Sequence, residues 1–318
     1  MNGVRSQLTI FLSNGMKGSN QRQIILSNIL QKVLKNDTFR KILLKMVSTN
    51  KNFRLDDWIN GLQSRGRLAF SLDNLRKEAN SLSEEAIKLA LNRLSGKDKI
   101  LSIHKGYYLI IPPIYQSIGV LPPIYFIDEM MKNLNRPYYV GLLNAAALHG
   151  AGHQQPQTFC VVSNFPVLRP TIRKGIRINY LTIKDIPIQY TEKLKTETGY
   201  VNVSSPELTA TDLIQYEKHV GGLNRVATVL NELSEAIRPE KLNKDFLENI
   251  PTSTVQRLGY LMEYELDKKD LADPLFKVMK DLERVFYRIP LKSNKPVKGY
   301  ETNERWKVIL NTEIEIDE

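Results

Sequence analysis

Apolar residues first recur at helical spacing over residues 24–34, as Ile25, Leu26, Ile29, Leu30, Val33 and Leu34, and again as Phe39, Ile42, Leu43, Met46 and Val47. Both stretches predict short amphipathic helices with Lys and Arg on the polar face. Helices this short are marginal alone and need a surface to pack on, either the next domain or a second copy of the chain.

Between Leu55 and Ile111 the pattern is more specific. A helix carrying Leu55, Trp58, Ile59 and Leu62 ends near Gly66, and the apolar piece Leu68–Phe70 leads to Ser71, an N-cap for a helix holding Leu72, Leu75 and Ala79. After a polar turn at Asn80–Ser81, Ser83 caps a second helix running to Leu94. Phe70 with Leu75, and Leu82 with Ile87, stand at hydrophobic-staple spacing, and Glu84 and Glu85 sit where the helix dipole favours carboxylates. Ile100–His104, a turn at Lys105–Gly106 and Tyr107–Ile111 predict a β-hairpin. The helix pair plus hairpin predict a winged helix-turn-helix over residues 55–111.

Pro112, Pro113, Pro122 and Pro123 bracket Ile114–Leu121, which predicts a linker over residues 112–124 that resists helix and ladder alike. Beyond it the pattern predicts a helix at Ile127–Leu134 and an Ala-rich helix with Pro137 at its first position, ending at His149–Gly150. Strands follow at Phe159–Ser163 and Ile176–Leu181, around a turn at Arg169–Gly175, and at Tyr200–Val203. Helices are expected from Ser205 to Tyr216 and at Leu223–Ile237, Thr252–Leu266 and Asp273–Val285, with a last strand at Trp306–Leu310. Mixed order without a βαβ repeat makes the fold class α+β, a winged helix followed by a larger mixed domain over residues 125–318.

Charge sharpens this division. Residues 1–54 hold ten Lys/Arg against one acidic residue, residues 55–111 nine against seven, and residues 112–318 twenty-six of each. A polyanion-facing surface is therefore expected at the front of the chain, with the basic extension supplying much of the electrostatic grip. On the second helix of the pair, Ile87, Ala90, Leu91 and Leu94 share the buried stripe, leaving Glu84, Glu85, Lys88, Asn92 and Arg93 exposed. Asn92 suits an adenine edge, Lys88 or Arg93 a guanine or a phosphate. The candidate DNA-binding residues are Arg65, Arg67, Ser83, Glu84, Lys88, Asn92, Arg93, Lys97, Lys99, His104, Lys105 and Tyr107.

Other chemistry finds little support. A single cysteine, Cys160, excludes an internal disulfide framework and suits a reducing compartment. No apolar run approaches a membrane span, so the chain reads as cytoplasmic. His149, His153 and Cys160 make a poor zinc site, because Gly150 and Gly152 break the helix and a fourth ligand is missing. Asp185, Glu192 and Lys193 lack nuclease spacing, and Ser163, Ser204 and Ser205 lack a nucleophile-elbow context. No catalytic residue, cofactor or metal is expected.

The segment Arg136–Gln157, reading RPYYVGLLNAAALHGAGHQQPQ, resembles the AbiEi family, the antitoxin half of AbiE abortive-infection, type IV toxin–antitoxin systems. Phe70–Leu75, Gly106–Pro113, Thr198–Tyr200, Ser205–Leu213, Gly221–Leu230, Gln256–Leu261 and Arg305–Asn311 resemble the same family in the same order. The resemblance covers residues 55–318. It implies a non-enzymatic phage-defence antitoxin that represses its own operon through double-stranded DNA. It also implies that the second domain opposes a nucleotidyltransferase-like toxin by functional antagonism rather than a stable complex. Two alternatives stay open, a nucleic-acid-processing enzyme and a docking adaptor, each using the winged helix for targeting.

Overall fold

The computed structural model describes residues 53–118, 121–152 and 156–316, so the two amphipathic helices read in residues 24–47 lie outside them, as does nearly all of the basic extension. The chain divides into two compact units, 1–58 and 59–318. The division falls within the first described helix, α1 (Leu55–Gln63).

Next come β1 (Ala69–Ser71), α2 (Leu72–Glu78), α3 (Glu84–Gly96) and the hairpin β2 (Ile100–His104) and β3 (Tyr107–Ile110). Each helix of the pair starts where a serine satisfies an orphan amide. Ser71 Oγ accepts from the Asn74 amide and Ser83 Oγ from the Ala86 amide, both at 3.2 Å. The three strands form an antiparallel sheet in the order β1-β3-β2. Alternation splits its faces. Phe70 and Tyr108 stack 5.3 Å apart on one side, while Ala69, Ile103, Tyr107 and Leu109 are buried on the other.

The chain then forms α4 (Pro113–Ile118), α5 (Ile127–Asn133), β4 (Tyr138–Val140), α6 (Leu142–Leu148), β5 (Phe159–Ser163), β6 (Thr171–Arg173), β7 (Ile176–Thr182), β8 (Thr191–Thr196) and β9 (Gly199–Ser204). It ends with α7 (Pro206–Gln215), α8 (Leu223–Leu233), α9 (Lys244–Leu247), α10 (Thr252–Tyr260), α11 (Lys269–Asp281), β10 (Ile289–Pro290) and β11 (Val308–Ile309). Strands β4 to β9 make one mixed sheet in the order β6-β7-β5-β4-β9-β8. The expected α+β order is present, with local corrections. Residues 112–124 are not a bare linker, because Pro113 opens α4, a first-turn position where a missing amide costs nothing. Pro137 precedes a strand rather than a helix. Gly141 separates β4 from α6: a Cβ there would stand 3.0 Å from Val162 Cγ2, and Leu142 follows at φ +55°. The expected turn at 169–175 contains β6, and α8 stops at Leu233.

The six-stranded sheet is covered on both sides. Tyr139, Cys160, Val162 and Leu181 point into a core built by α7, α8, α10 and α11. Tyr138, Val140, Val161 and Ile178 point into a second core that includes α5 and the buried face of the small sheet. One apolar core joins the helix pair to the larger sheet.

In the first of these cores Trp306 is fully buried. Its ring lies on Gly259 of α10, where a Cβ would come within 2.2 Å of it. Its Nε1 donates to Glu263 at 2.7 Å, and Arg305 binds Glu263 at 3.0 Å and Asp273 at 2.6 Å. Gln256 donates to the backbone carbonyls of Tyr287 and Trp306 at 2.8 and 2.6 Å. These bonds tie the last strand to the helices.

Candidate nucleic-acid interface

The exposed side of α3 carries Glu85, Lys88, Leu89, Asn92 and Arg93, because Ile87, Leu91 and Leu94 are buried beneath it. Between α3 and α2 lies an open groove of about 350 Å³, bordered by Arg76, Glu84, Lys88, Asn92 and Tyr108. Arg76 of α2 grips Glu84 with two bonds of 2.9 Å. The hydrogen bond from Arg76 holds the Glu84 carboxyl below its usual range. Glu84 is thus neutralised by a neighbour across the turn, and less carboxylate charge faces outward than the sequence suggests. The pairing of residues 76 and 84 has no signal in helical periodicity, because a turn intervenes.

The remaining candidates separate into groups. Ser83 is exposed but its hydroxyl is engaged in the cap. Lys97, the C-cap of α3, and Lys99, two residues beyond it, are exposed at the far end of the helix. Thirteen residues at 1.5 Å rise put that end about 20 Å from Ser83. Arg65 is exposed in the turn after α1, and Lys105 is exposed at the hairpin tip beside half-buried His104, whose Nδ1 lies 3.3 Å from the Lys105 carbonyl. Arg67 is held by Glu129 of α5 at 3.2 Å and so braces the small sheet against the larger domain.

Tyr107 needs correction. It is 2% exposed and points into the second core, because it occupies the face of β3 opposite Tyr108. Its hydroxyl has no hydrogen-bond partner among the described residues, and burial pushes its pKa up. A buried hydroxyl left unpaired costs about 1–3 kcal/mol. Tyr107→Phe should therefore raise stability by about 1 kcal/mol, read as a higher urea midpoint with unchanged slope; a lowered midpoint would mean that the hydroxyl is satisfied.

The larger domain has polar groups of a different kind, set into its core. Asp212 of α7 accepts from the Tyr139 hydroxyl at 2.8 Å. Burial raises its carboxyl from 3.8 to about 7, with the Tyr139 bond pulling the other way. Asn144 accepts from the Cys160 amide at 2.8 Å, and a His149 ring nitrogen lies 2.7 Å from the Ser204 carbonyl oxygen. Burial pushes the Cys160 thiol up to about 12, which keeps it protonated and a poor metal ligand. His153 lies outside the described residues, among which no three His, Cys, Asp or Glu gather as metal ligands would. Glu192 is paired with Lys241 at 3.1 Å, and Lys193 alternates to the other face of β8. Ser163 donates to the Pro137 carbonyl, Ser204 pairs with Thr209, and Ser205 caps α7. Among the described residues no helix is long and apolar enough to cross a membrane.

No curated protein matches the chain. In fold it is similar to the crystal structure of the RV2827C protein from Mycobacterium tuberculosis, with a TM-score of 0.58 at 15% identity, over 79% of this chain and 89% of that one. Residues 139–264, from Tyr139 of β4 to the π-helical turn that follows α10, match the AbiEi antitoxin C-terminal domain. They contain both the Tyr139–Asp212 seam and the Gly259–Glu263 seat of Trp306. That match likens this part of the chain, under half of its length, to the AbiEi antitoxin family.

Proposed function

We propose that the chain is a type IV antitoxin that represses its own operon, reading double-stranded DNA with a winged helix-turn-helix at residues 55–111 and opposing a nucleotidyltransferase-like toxin with residues 125–318. The observation that carries the DNA half is the exposed row Lys88, Asn92 and Arg93 on a capped helix. The opposite side of the same unit is buried against the antitoxin domain, so this row is the face left for a partner. Lys88, Asn92 and Arg93 would meet base edges, and Arg65, Lys97, Lys99 and Lys105 phosphates.

The test is one variant with two readouts. Lys88→Ala/Asn92→Ala/Arg93→Ala should lose at least about 100-fold in affinity for its promoter, since each good base contact is worth about 1–3 kcal/mol. It should still rescue growth when co-expressed with the toxin. Unchanged promoter binding in a mobility-shift titration would refute the groove assignment. Lost rescue would mean that antitoxin activity is not confined to residues 125–318.

A further inference from the structure

The outward side of α3 is polar with one exception. Leu89 is 69% exposed, and among the described residues of 55–111 no other large apolar side chain stands so open. At about 100° per residue it lies about 160° round the helix from both Ile87 and Leu91 of the buried stripe. It therefore occupies the crest of the face that Glu85, Lys88, Asn92 and Arg93 share. A single exposed leucine is common on protein surfaces and by itself means nothing. Its position is what calls for a cause, since alanine would serve the helix as well without holding a large apolar side chain in water.

What surrounds Leu89 limits what can cover it. A protein-docking patch is a contiguous apolar area, whereas Leu89 is ringed by hydrogen-bonding groups. Glu85 and Arg93 lie four residues before and after it, Asn92 three after, and Lys88 beside it. One apolar tip in a polar ring matches a surface that is polar nearly throughout. The major groove of DNA is such a surface: each base-pair edge offers donors and acceptors, and its one apolar feature is the C5-methyl group of thymine. Leucine pressed on any other edge would strip water from polar groups without replacing their hydrogen bonds.

We infer that Leu89 is a specificity-determining residue that covers the C5-methyl group of a thymine in the operator. The inference rests on the DNA-binding reading of α3. Asn92 follows Leu89 by about 4.5 Å along the helix axis, close to the ~3.4 Å spacing of stacked bases, so the two address the same or neighbouring base pairs. Asn92 suits an adenine edge, and together they select a step that contains A·T, one by hydrogen bonds and the other by apolar contact. Leu89 carries no charge, so it discriminates between bases without contributing to salt dependence.

The test uses the full chain, a fluorescent duplex of its own promoter, and a set of duplexes in which one thymine at a time is replaced by deoxyuridine. Deoxyuridine pairs alike and lacks only the methyl group. One or two of these replacements should weaken wild-type binding about three- to tenfold, the effect of one buried methyl group. Leu89→Ala should bind the parent duplex more weakly by a similar factor, be indifferent to those same replacements, and keep the wild-type salt slope. Leu89→Met, still long and apolar, should keep the sensitivity. Because Leu89 is exposed, the alanine variant should melt as the wild type does. If no replacement weakens a wild type that still prefers its promoter to a scrambled duplex, the inference alone is overturned. It is also overturned if Leu89→Ala keeps the full sensitivity, since another residue then covers the methyl group. Normal DNA binding by Leu89→Ala with lost growth rescue would overturn it in favour of a protein partner. A wild type without preference for its promoter would overturn the DNA-binding reading and this inference with it.

Discussion

Trp306→Ala should cost about 3–5 kcal/mol, a third or more of the total stability if that is about 10 kcal/mol, and read as a lower urea midpoint. The indole is fully buried, packs at 5.2 Å edge-on to Phe276 and at 5.9 Å against Phe286, and gives its N–H to Glu263. Alanine leaves a cavity and removes one donor from a buried carboxylate, which Arg305 still holds. Gly259 supplies a check on the cause. Alone, Gly259→Ala should destabilise, because its Cβ would sit 2.2 Å from the indole. Once Trp306 is alanine the same change should gain up to about 1 kcal/mol, the helix-propensity difference between the two residues. Urea melts of the four proteins measure the coupling; strict additivity would mean that the ring does not rest on Gly259.

The second large effect is a dependence on pH. Asp212 titrates near 3.8 when exposed and near 7 in the fold, chiefly because burial disfavours its charge. Between those values the folded chain holds a proton that the unfolded chain has released. The stability linked to this carboxyl is therefore fully present below about pH 4 and is lost as pH rises through about 7. The loss is on the order of 4 kcal/mol for a shift of this size. Asp212→Asn keeps an acceptor for the Tyr139 hydroxyl and removes the charge. It should raise the melting temperature most at pH 8, less at pH 5 and little below about pH 4, and so flatten this part of the profile. Parallel profiles for the two proteins would show that Asp212 stays ionised in the fold. Tyr139, Tyr216 and Cys160 face the same carboxyl, and their own titrations are all pushed upward, beyond this range.

Local chemistry made the helix pair legible in the sequence. The Ser71 and Ser83 caps and the stripe Ile87, Leu91 and Leu94 depend on spacings of three and four residues, which sequence displays directly. What sequence hides is which surface a strand meets. Tyr107 and Tyr108 are adjacent aromatics, and only the packing of the small sheet on α5 and the larger sheet decides that the first is interior. Tyr138–Val140 reads as helix because a strand buried on both faces shows no alternation, and an Ala-rich run follows. β8 has no counterpart among the elements expected from sequence, because an edge strand of sequence TEKLKT is mostly polar. Likewise Arg76 joins the site only through a turn that brings α2 beside Glu84.

The shared core beneath the small sheet has a consequence for how copies would be arranged along DNA. A reader on a flexible tether lets its cargo swing to any azimuth about the duplex. On the proposed reading, the larger domain is fused to the reader through Ala69, Tyr107, Leu109, Met130 and Val161, and clamped at its rim by Arg67–Glu129 and Lys174–Asp98. Two copies on sites one helical turn apart, about 10–10.5 base pairs, would carry their antitoxin domains on the same side of the duplex. Moving one site by half a turn would face those domains in opposite directions while leaving each act of reading intact. Operator phasing would then be set by the antitoxin domain, a part of the chain that need read no bases.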